Sequence, residues 1–309
     1  METKSKGPLL VILGQTAVGK TALSLKLANQ FKGEIISADS RLFYRGMDIG
    51  TAKPSPDEQA AVPHHLVDIC NPDETLTLGE YQRMAYRTID AVLANGRLPI
   101  LVGGTGQYIK AVIEGWGIPR VSPHEPLRRA LEALGGETLA TWLQQLDPVA
   151  AERIDPRNVR RVVRALEVVL VTGVPISTHQ KKSPPPYNIL QLGLDRNREE
   201  LYQRIDTRVD LMMEAGLLNE MDQLRADGYG RHLPAMSGLG YRQLWAYLDG
   251  EMSLEDAVER IKFETHRFSR QQNNWFRRED PTIHWFDLGG EDVETAVVDT
   301  VRYWLRNIF

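Results

Sequence analysis

The segment Gly-Gln-Thr-Ala-Val-Gly-Lys-Thr at residues 14–21 constrains the fold of this chain more than any other. It follows an apolar run at residues 9–13 and leads into a helix-like stretch at residues 22–29. This order of strand, glycine-rich loop and helix is what a phosphate-binding P-loop requires. Backbone N–H groups of such a loop converge on phosphate oxygens, helped by the positive end of the following helix. The segment therefore predicts an α/β core that binds a diphosphate or triphosphate.

Every residue of the segment is assigned to this phosphate site: Gly14, Gln15, Thr16, Ala17, Val18, Gly19, Lys20 and Thr21. Lys20 would add a mobile positive charge, and Thr21 a hydroxyl for a phosphate-bound Mg²⁺. The alternative is a chance glycine-rich loop between a strand and a helix. We favour the phosphate site because both glycines, the lysine and the threonine stand in register.

Composition narrows the class of protein further. The single cysteine, Cys70, has no partner for an internal disulfide, which favours a reducing compartment. Neither a signal-peptide pattern nor an apolar run of membrane-spanning length is visible. We therefore expect a cytoplasmic protein without a membrane segment.

Short apolar runs alternate with helix-like stretches in the first part of the chain. Strands are predicted at residues 9–13, 34–37, 100–102 and 189–194, with helices at residues 21–30 and 79–94. Strands that alternate with helices indicate a parallel sheet with helical crossovers. A later run at residues 283–286 is expected to add an edge strand.

The pattern changes to continuously helical at residues 125–172, between a proline-rich entry and the spacer Lys-Lys-Ser-Pro-Pro-Pro at residues 181–186. Two long amphipathic helices are predicted afterwards, at residues 198–226 and 254–278. The expected fold class is therefore α/β. A P-loop NTPase-like parallel sheet core takes up residues 1–117 and 184–309, and a helical insertion domain takes up residues 118–183.

Two basic clusters occur in a chain whose net charge is -4. The first holds five arginines within residues 153–164, and the second mixes basic with aromatic residues within residues 262–278. Basic patches with aromatic neighbours suit phosphate backbones and exposed bases. A solvated helix face is the ordinary explanation of one such run, but two runs shift the interpretation toward nucleic-acid binding.

Two further polar residues follow predicted strands. Asp39 comes after the second strand, and Thr105 lies in the loop Gly-Gly-Thr-Gly after the third. Ligands of an open α/β sheet sit at the carboxyl ends of its strands, so Asp39 is expected to face the P-loop. It could bind Mg²⁺ through water, act as a general base, or serve only as a helix cap or turn residue. The glycines around Thr105 would let a substrate approach the backbone closely.

Together these segments resemble the tRNA dimethylallyltransferases, also called tRNA isopentenyltransferases. That family is marked by a GPTxxGKT-type P-loop and by DSxxxYxGMDIGTAKP, PHHLxDI, LVGGTGxY and RALEV. This chain carries GQTAVGKT, DSRLFYRGMDIGTAKP, PHHLVDI, LVGGTGQY, RALEV and GYRQLW in the same order. The matches extend from residue 10 to about residue 278, and the run GMDIGTAK has no ordinary structural explanation at that length.

The resemblance implies transfer of the dimethylallyl group of dimethylallyl diphosphate to N6 of adenine 37, beside the anticodon of tRNA. It implies Mg²⁺ as cofactor, and the tRNA anticodon stem-loop and dimethylallyl diphosphate as partners. No His/Cys finger follows the matched region, so the resemblance is to the bacterial type. We expect a monomer.

The resemblance also implies residue roles. Asp39 would be the general base, Thr16 would contact the diphosphate near the breaking bond, and Lys20 and Arg208 would bind the diphosphate. Without the family, Arg208 would be taken for a surface salt-bridge residue. The predicted tRNA contacts are Asp39, Ser40, Arg41, Leu42, Thr105, Arg160, Arg161, Val162, Val163, Arg164, Ser237, Gly238, Leu239, Gly240, Tyr241 and Arg242.

The chain departs from the family pattern at four positions. Gln15 replaces the usual proline, Val18 a small serine-like residue, and Gln271 and Asn274 a basic residue and a threonine. Three other functions stay open on the sequence: a P-loop kinase, an adenylate isopentenyltransferase acting on a free nucleotide, and a non-catalytic RNA-binding module. The adjacent histidines of PHHLVDI are given a structural role, since no matching metal ligands stand nearby.

Overall fold

The computed structural model describes residues 5–308 and divides the chain into two compact units. The first unit comprises the chain up to Leu76, Gln82–Ile109 and the chain from Pro186 onward. The second comprises Thr77–Tyr81 and Lys110–Pro185. The second unit thus begins at Lys110 and not at residue 118, and its short additional segment was not expected from the helical pattern.

The first unit is built on a six-stranded sheet in which every strand pair is parallel. Its strands in chain order are β1 (Pro8–Gly14), β2 (Gly33–Ser37), β3 (His64–His65), β4 (Leu98–Gly103), β5 (Asn188–Asp195) and β6 (Ile283–Asp287). The spatial order is β3-β2-β4-β1-β5-β6. The predicted α/β class, the five predicted strands and the edge position of the last one are confirmed. The strand β3 was not predicted, because two residues are too short to show any periodicity.

Strand β1 lies at the centre of the sheet and all its residues are buried. Both of its faces are therefore covered, which explains its continuously apolar sequence. In the register, Gly14 pairs with Leu194 of β5, and Leu13 pairs with Gly103 of β4. The loops that follow β1, β4 and β5 consequently leave the sheet at the same edge.

The helices are α1 (Lys20–Phe31), α2 (Pro56–Ala61), α3 (Leu78–Ala94), α4 (Gly106–Ile113), α5 (Glu125–Glu132), α6 (Gly136–Leu146), α7 (Pro148–Arg153), α8 (Val159–Thr172), α9 (Ile176–His179), α10 (Arg198–Glu214), α11 (Leu217–Ala226), α12 (Tyr241–Leu248), α13 (Leu254–Gln272) and α14 (Val293–Arg306). A 3₁₀ turn covers Pro234–Ser237. Among residues 5–308, no helix is long and apolar enough to cross a bilayer.

Three predicted helical stretches have different boundaries in the structure. Residues 125–172 form four helices, α5 to α8, with Gly135 at a positive φ of 82° between the first two. Residues 198–226 form α10 and α11, because Gly216 adopts φ 96° and starts the second helix. Residues 254–278 form a single helix that already ends at Gln272.

The second unit has its own apolar core, in which α8 is the central helix. Val162, Val163 and Leu166 of α8 pack with Leu139 and Leu143 of α6. A buried carboxylate lies beside this core: Glu167 of α8 has no exposed side-chain surface. The unit therefore buries a charge that must be compensated locally.

Three residues donate hydrogen bonds to Glu167, and two of them, Arg128 and Arg164, carry the compensating positive charge. Arg128 donates from Nε to Oε1 at 2.9 Å and from Nη2 to Oε2 at 3.0 Å, and the amide of His124 donates to Oε1 at 2.7 Å. Arg164 completes the set and also donates to the carbonyl of Val121 at 3.0 Å. Burial alone would raise the pKa of Glu167, but the hydrogen bonds from Arg128, His124 and Arg164 outweigh it and hold the pKa at about 2.

This carboxylate makes the stability of the second unit depend on pH. Its folded-state pKa of about 2 lies below the ordinary value of 4.5, so its stabilising effect is complete above that value and is lost as the pH falls toward 2. Glu167→Gln should lower the free energy of unfolding by about 2–4 kcal/mol at neutral pH, because a buried ion pair loses one partner. The difference from the parent protein should shrink as the pH is lowered from about 5 to about 2 in urea-unfolding titrations.

Glu132→Gln is the matched control, since Glu132 is exposed on α5. Its free energy of unfolding should change by less than about 0.5 kcal/mol. A Glu167→Gln deficit that does not vary with pH would contradict the role given to this carboxylate.

Candidate active site

The loop between β1 and α1 has the backbone conformation that its glycines permit. Gly14 has φ 150°, and a Cβ there would come within 2.5 Å of the carbonyl of Leu194. Gly19 has φ 118° and Ala17 also has a positive φ, of 62°. A side chain at either glycine would therefore strain or displace the loop. The two glycines that defined the motif in the sequence are required by the fold itself.

Lys20 folds back over the loop. Its Nζ donates to the carbonyls of Gly14 at 3.0 Å and Gln15 at 2.7 Å. Burial, as the main cause, lowers the pKa of Lys20 to about 8, with the positive charge of Arg208 acting in the same direction and the negative charge of Asp39 against it. These three charged groups, predicted from separate segments, thus act on one another electrostatically.

A cavity of about 690 Å³ opens in the first unit at this edge of the sheet. Several predicted site residues line it: Thr16, Ala17, Asp39, Ser40, Arg41, Thr105, Arg208, Ser237, Gly238, Leu239, Gly240, Tyr241 and Arg242. Thr21, the predicted metal ligand, is exposed on the first turn of α1. The cavity is of the size that small-molecule sites have, and its lining combines apolar surface with a few converging charges.

Asp39 is both a turn residue and part of the cavity wall. Its Oδ1 accepts a hydrogen bond from the amide of Arg41 at 3.0 Å, and its carbonyl accepts one from the amide of Leu42 at 3.3 Å. The structural and the functional interpretations of Asp39 therefore do not exclude each other. The turn fixes the backbone from which the carboxylate faces the cavity.

Arg41 links this turn to the segment that precedes α12. Its guanidinium donates to the carbonyls of Pro234 and Ala235, both at 3.3 Å, and to Oγ of Ser237 at 3.4 Å. These partners belong to the 3₁₀ turn that leads into the predicted contact residues 237–242. Two sequence segments predicted to meet the same substrate are thus tied together.

Glu220 of α11 connects the loop at residues 48–50 with Tyr241 of α12. Its Oε2 accepts the amides of Asp48 at 2.8 Å and Ile49 at 2.7 Å, and its Oε1 accepts the amide of Gly50 at 3.2 Å. The hydroxyl of Tyr241 also donates to Oε1, at 2.6 Å. Burial and the charge of Glu220 both raise the pKa of Tyr241, which keeps the phenol protonated as a donor.

Lys53 provides a further tie within the same loop. Only 4% of its side chain is exposed, and its Nζ donates to the carbonyl of Tyr44 at 2.9 Å, to Oδ1 of Asp68 at 2.5 Å and to Asp48. The run GMDIGTAK therefore does have a structural role, contrary to the expectation from the sequence. Its aspartate, its lysine and its backbone amides hold the cavity wall in place.

The predicted tRNA contacts on α8 differ in their exposure to solvent. Arg160 and Arg161 are exposed, whereas the side chains of Val162 and Val163 are buried in the core of the second unit. Arg164 is half-buried and bonded to Glu167 and to a backbone carbonyl. Only the two exposed arginines present free cationic surface on this stretch, and the valines act there by packing.

The second basic cluster is largely engaged within the first unit. Lys262 pairs with Asp210 at 2.8 Å, and Arg270 donates to the hydroxyl of Tyr202 at 2.6 Å. These contacts join α13 to α10. Arg267 of the same cluster lines the cavity. The described contacts of this cluster thus mainly hold α13 against α10.

Sequence reasoning missed the residues that anchor the P-loop from outside. Arg204 of α10 donates from Nε to the carbonyl of Ala17 at 2.9 Å, and Gln272 of α13 accepts the amide of Thr16 at 2.8 Å. Arg204 lies one helical turn before Arg208 on α10. The spacing of four residues therefore predicts that both side chains lie on the same face of the helix. Glu220 gave none, because a single polar residue on a helix is ordinarily a surface residue. Lys53 and Gln272 lie in segments that resemble the family, GMDIGTAK and residues 270–277, but those segments did not indicate which groups the two side chains bond.

A P-loop in a parallel sheet, with an acid and an arginine lining one cavity, is typical of enzymes that act on phosphorylated substrates. The family model described as IPP transferase matches residues 42–279. The chain belongs to this family of prenyltransferases.

Individual relatives agree with the family match. The chain is similar to a tRNA dimethylallyltransferase of Dehalococcoides mccartyi, at 50% identity over 304 residues that cover 97% of this chain and 93% of the relative. It is also similar to one of Roseiflexus castenholzii, at 56% identity over 275 residues that cover 88% and 90%.

Two solved structures extend the likeness to the fold. The full-length tRNA isopentenylpyrophosphate transferase of Bacillus halodurans matches with a TM-score of 0.73 and 39% identity, covering 97% of both chains. A eukaryotic dimethylallyltransferase acting on tRNA matches with a TM-score of 0.86 and 27% identity, covering 99% of this chain and 80% of its own. The predicted P-loop NTPase-like core and the family assignment are confirmed.

Glu220 offers a direct test of how the cavity wall is held. Glu220→Ala leaves three backbone amides and the Tyr241 hydroxyl without their acceptor. The free energy of unfolding should fall by about 2–4 kcal/mol. Amide hydrogen exchange in residues 47–53 should accelerate more than elsewhere.

Asp222→Ala is the control, because Asp222 is an exposed acid on the same helix. It should leave both the exchange pattern and, within about 0.5 kcal/mol, the stability unchanged. If residues 47–53 exchange at parental rates in Glu220→Ala, the carboxylate does not hold this loop.

Proposed function

We propose that this enzyme transfers the dimethylallyl group of dimethylallyl diphosphate to N6 of adenine 37 in the tRNA anticodon stem-loop, releasing diphosphate. The observation that carries the proposal is the single cavity lined by Thr16, Asp39, Thr105 and Arg208 together with residues 237–242. Relatives at 50–56% identity bear the name tRNA dimethylallyltransferase, which supports the same reaction here.

The reaction breaks the bond between carbon 1 of the prenyl group and the diphosphate oxygen and forms a bond from that carbon to N6. The electron pair of the broken bond leaves with the diphosphate, whose charge Lys20, Arg208 and the P-loop amides stabilise. Thr16 lines the cavity, which supports its proposed contact with the leaving oxygen. Asp39 accepts the proton that N6 loses.

Mg²⁺ is the proposed cofactor. Among residues 5–308, no three His, Cys, Asp or Glu side chains form a group that could hold a metal ion. This fits Mg²⁺ in a phosphate site, which is usually held by one or two protein oxygens, by phosphates and by water. The exposed Thr21 hydroxyl on the first turn of α1 is the proposed protein ligand. When bound, the ion would neutralise charge on the diphosphate.

The proposed tRNA contacts lie in both units: at the cavity rim in the first unit, and at the exposed arginines of α8 in the second. Adenine 37 is stacked in the anticodon loop, so it must be splayed out before its N6 can enter a cavity. The turn at Asp39 to Leu42 and residues 237–242 form the rim, and Arg160 and Arg161 contact the phosphate backbone. We propose that the enzyme acts as a monomer in the cytoplasm, where it meets unmodified tRNA.

A transfer assay tests the function. Purified protein with Mg²⁺ and dimethylallyl diphosphate is offered unmodified tRNA, AMP, or ATP with nucleosides. Prenylated adenine at position 37 of tRNA is the expected product. Prenylation of AMP alone, or phosphorylation of a nucleoside, would overturn the proposal in favour of a nucleotide prenyltransferase or a kinase.

Asp39→Asn tests the general base. The amide preserves the turn but cannot accept the N6 proton, so kcat should fall by about 10²–10⁴-fold. The Kd for tRNA, measured by filter binding, should stay within about twofold of the parental value. Asp57→Asn, an exposed aspartate of α2, is the control and should keep parental kcat. Near-parental turnover in Asp39→Asn would remove Asp39 from the proton transfer.

Arg161→Ala tests the RNA surface of α8. Loss of one phosphate contact should weaken tRNA binding by about 5–10-fold and reduce the slope of log Kd against log salt by about 1. Arg129→Ala, an exposed arginine of α5, is the control. Inorganic diphosphate should bind both variants like the parent. Unchanged tRNA affinity and salt slope in Arg161→Ala would exclude Arg161 from the interface.

A further inference from the structure

Gln272, the last residue of α13, bridges two loops of the cavity with one side chain. Its Oε1 accepts the amide of Thr16 at 2.8 Å, and its Nε2 donates to the carbonyl of Gly104 at 2.9 Å. The residue is only 5% exposed. A buried, uncharged amide is suited to this position, because it offers an acceptor at one end and a donor at the other.

The loop after β4 is shaped to receive the end of α13. A Cβ at Gly104 would come within 2.4 Å of Nε2 of Gln272, and one at Gly106 within 2.3 Å of Cβ of Trp275. The sequence suggested that these glycines make room for a substrate. The structure gives them a different task, since they let the helix end approach the backbone beside Thr105.

Gln15 forms a second bridge to the same helix, in the opposite direction. Its Nε2 donates to both the carbonyl and Oγ of Ser269, each at 2.9 Å. Ser269 is fully buried and Gln15 is 7% exposed. The glutamine that replaces the usual proline of the P-loop thus has a bonding partner in this chain. Two side chains thus connect the P-loop with the last turn of α13: Gln15 reaches from the loop to Ser269, and Gln272 reaches from the helix to Thr16.

We propose that Gln272 is a positioning residue for the transfer reaction, acting through Thr16. It fixes the Thr16 backbone relative to the loop that carries Thr105, and Gln15 supports it from the P-loop side. The proposal rests on the proposed function, in which Thr16 contacts the leaving diphosphate. A shift of about 1 Å in such a contact costs up to about 10²-fold in rate, although no substrate contact is lost.

Gln272→Ala removes both bonds and should lower kcat by about 10–100-fold. Because Gln272 is buried and bonds only to backbone groups of Thr16 and Gly104, we expect it to make no tRNA contact of its own, and KM for tRNA should change less than kcat. Gln272→Met keeps the volume of the side chain but loses both hydrogen bonds, so it should lower kcat about as much as Gln272→Ala. It also carries the test if the alanine variant does not fold. Asn273→Ala is the control, since Asn273 is exposed on the same turn.

A double-mutant cycle with Thr16→Ala separates positioning from general support of the fold. If Gln272 acts through Thr16, Gln272→Ala should lower kcat by less than about twofold in the Thr16→Ala background. Equal losses of kcat in both backgrounds, or parental kcat in Gln272→Ala, would overturn the proposal. A parent protein that prenylates no tRNA would instead overturn the proposed function, and this proposal with it.

Discussion

The site depends on the pairing of β1 with β4 on one side and β5 on the other. Because all three strands are parallel and paired in the observed register, their carboxyl ends meet at one edge. The P-loop leaves β1 there, and the loop carrying Thr105 leaves β4. The other contacts around the cavity depend on this arrangement. The P-loop and the loop carrying Thr105 are about 90 residues apart in the sequence, and the sheet brings them to the same edge.

Parallel pairing brings the loops together but does not hold them in shape. That task falls to polar side chains from the helices and loops: Glu220 receives the amides of residues 48–50, Lys53 joins three segments, and Gln272 joins the P-loop to Gly104. These groups are largely withdrawn from water, so each missing partner would leave a buried donor or acceptor unsatisfied. Hydrogen bonds between distant segments therefore fix the cavity wall together with the packing of buried apolar residues such as Ile205, Val209 and Leu217.

How far the sequence predicts this protein differs between parts of the chain. The buried strands and the P-loop were predictable, since apolar runs and glycine–lysine patterns are local signals. Strand β3 was not, because two histidines carry no periodicity. The helix breaks at Gly135 and Gly216 were missed, although a glycine inside a helical pattern is itself a signal for a break. At the site, Asp39, Thr16, Thr105 and Arg208 could be named from motifs. Glu220 and Ser269 could not, because their partners are distant in sequence. Gln272 lies in a segment that resembles the family, but only the folded chain shows that it is buried and bonded to Thr16.

The central claim is that this P-loop binds a leaving group during carbon transfer and that no phosphoryl group moves. Dimethylallyl diphosphate labelled with ¹⁸O in the oxygen between carbon 1 and phosphorus distinguishes the two reactions directly. After a single turnover with unmodified tRNA, mass spectrometry should find the label entirely in the released diphosphate and none in the tRNA. Label retained in dimethylallyl alcohol, with an unlabelled phosphoryl group on the acceptor, would show cleavage at phosphorus and would contradict the account.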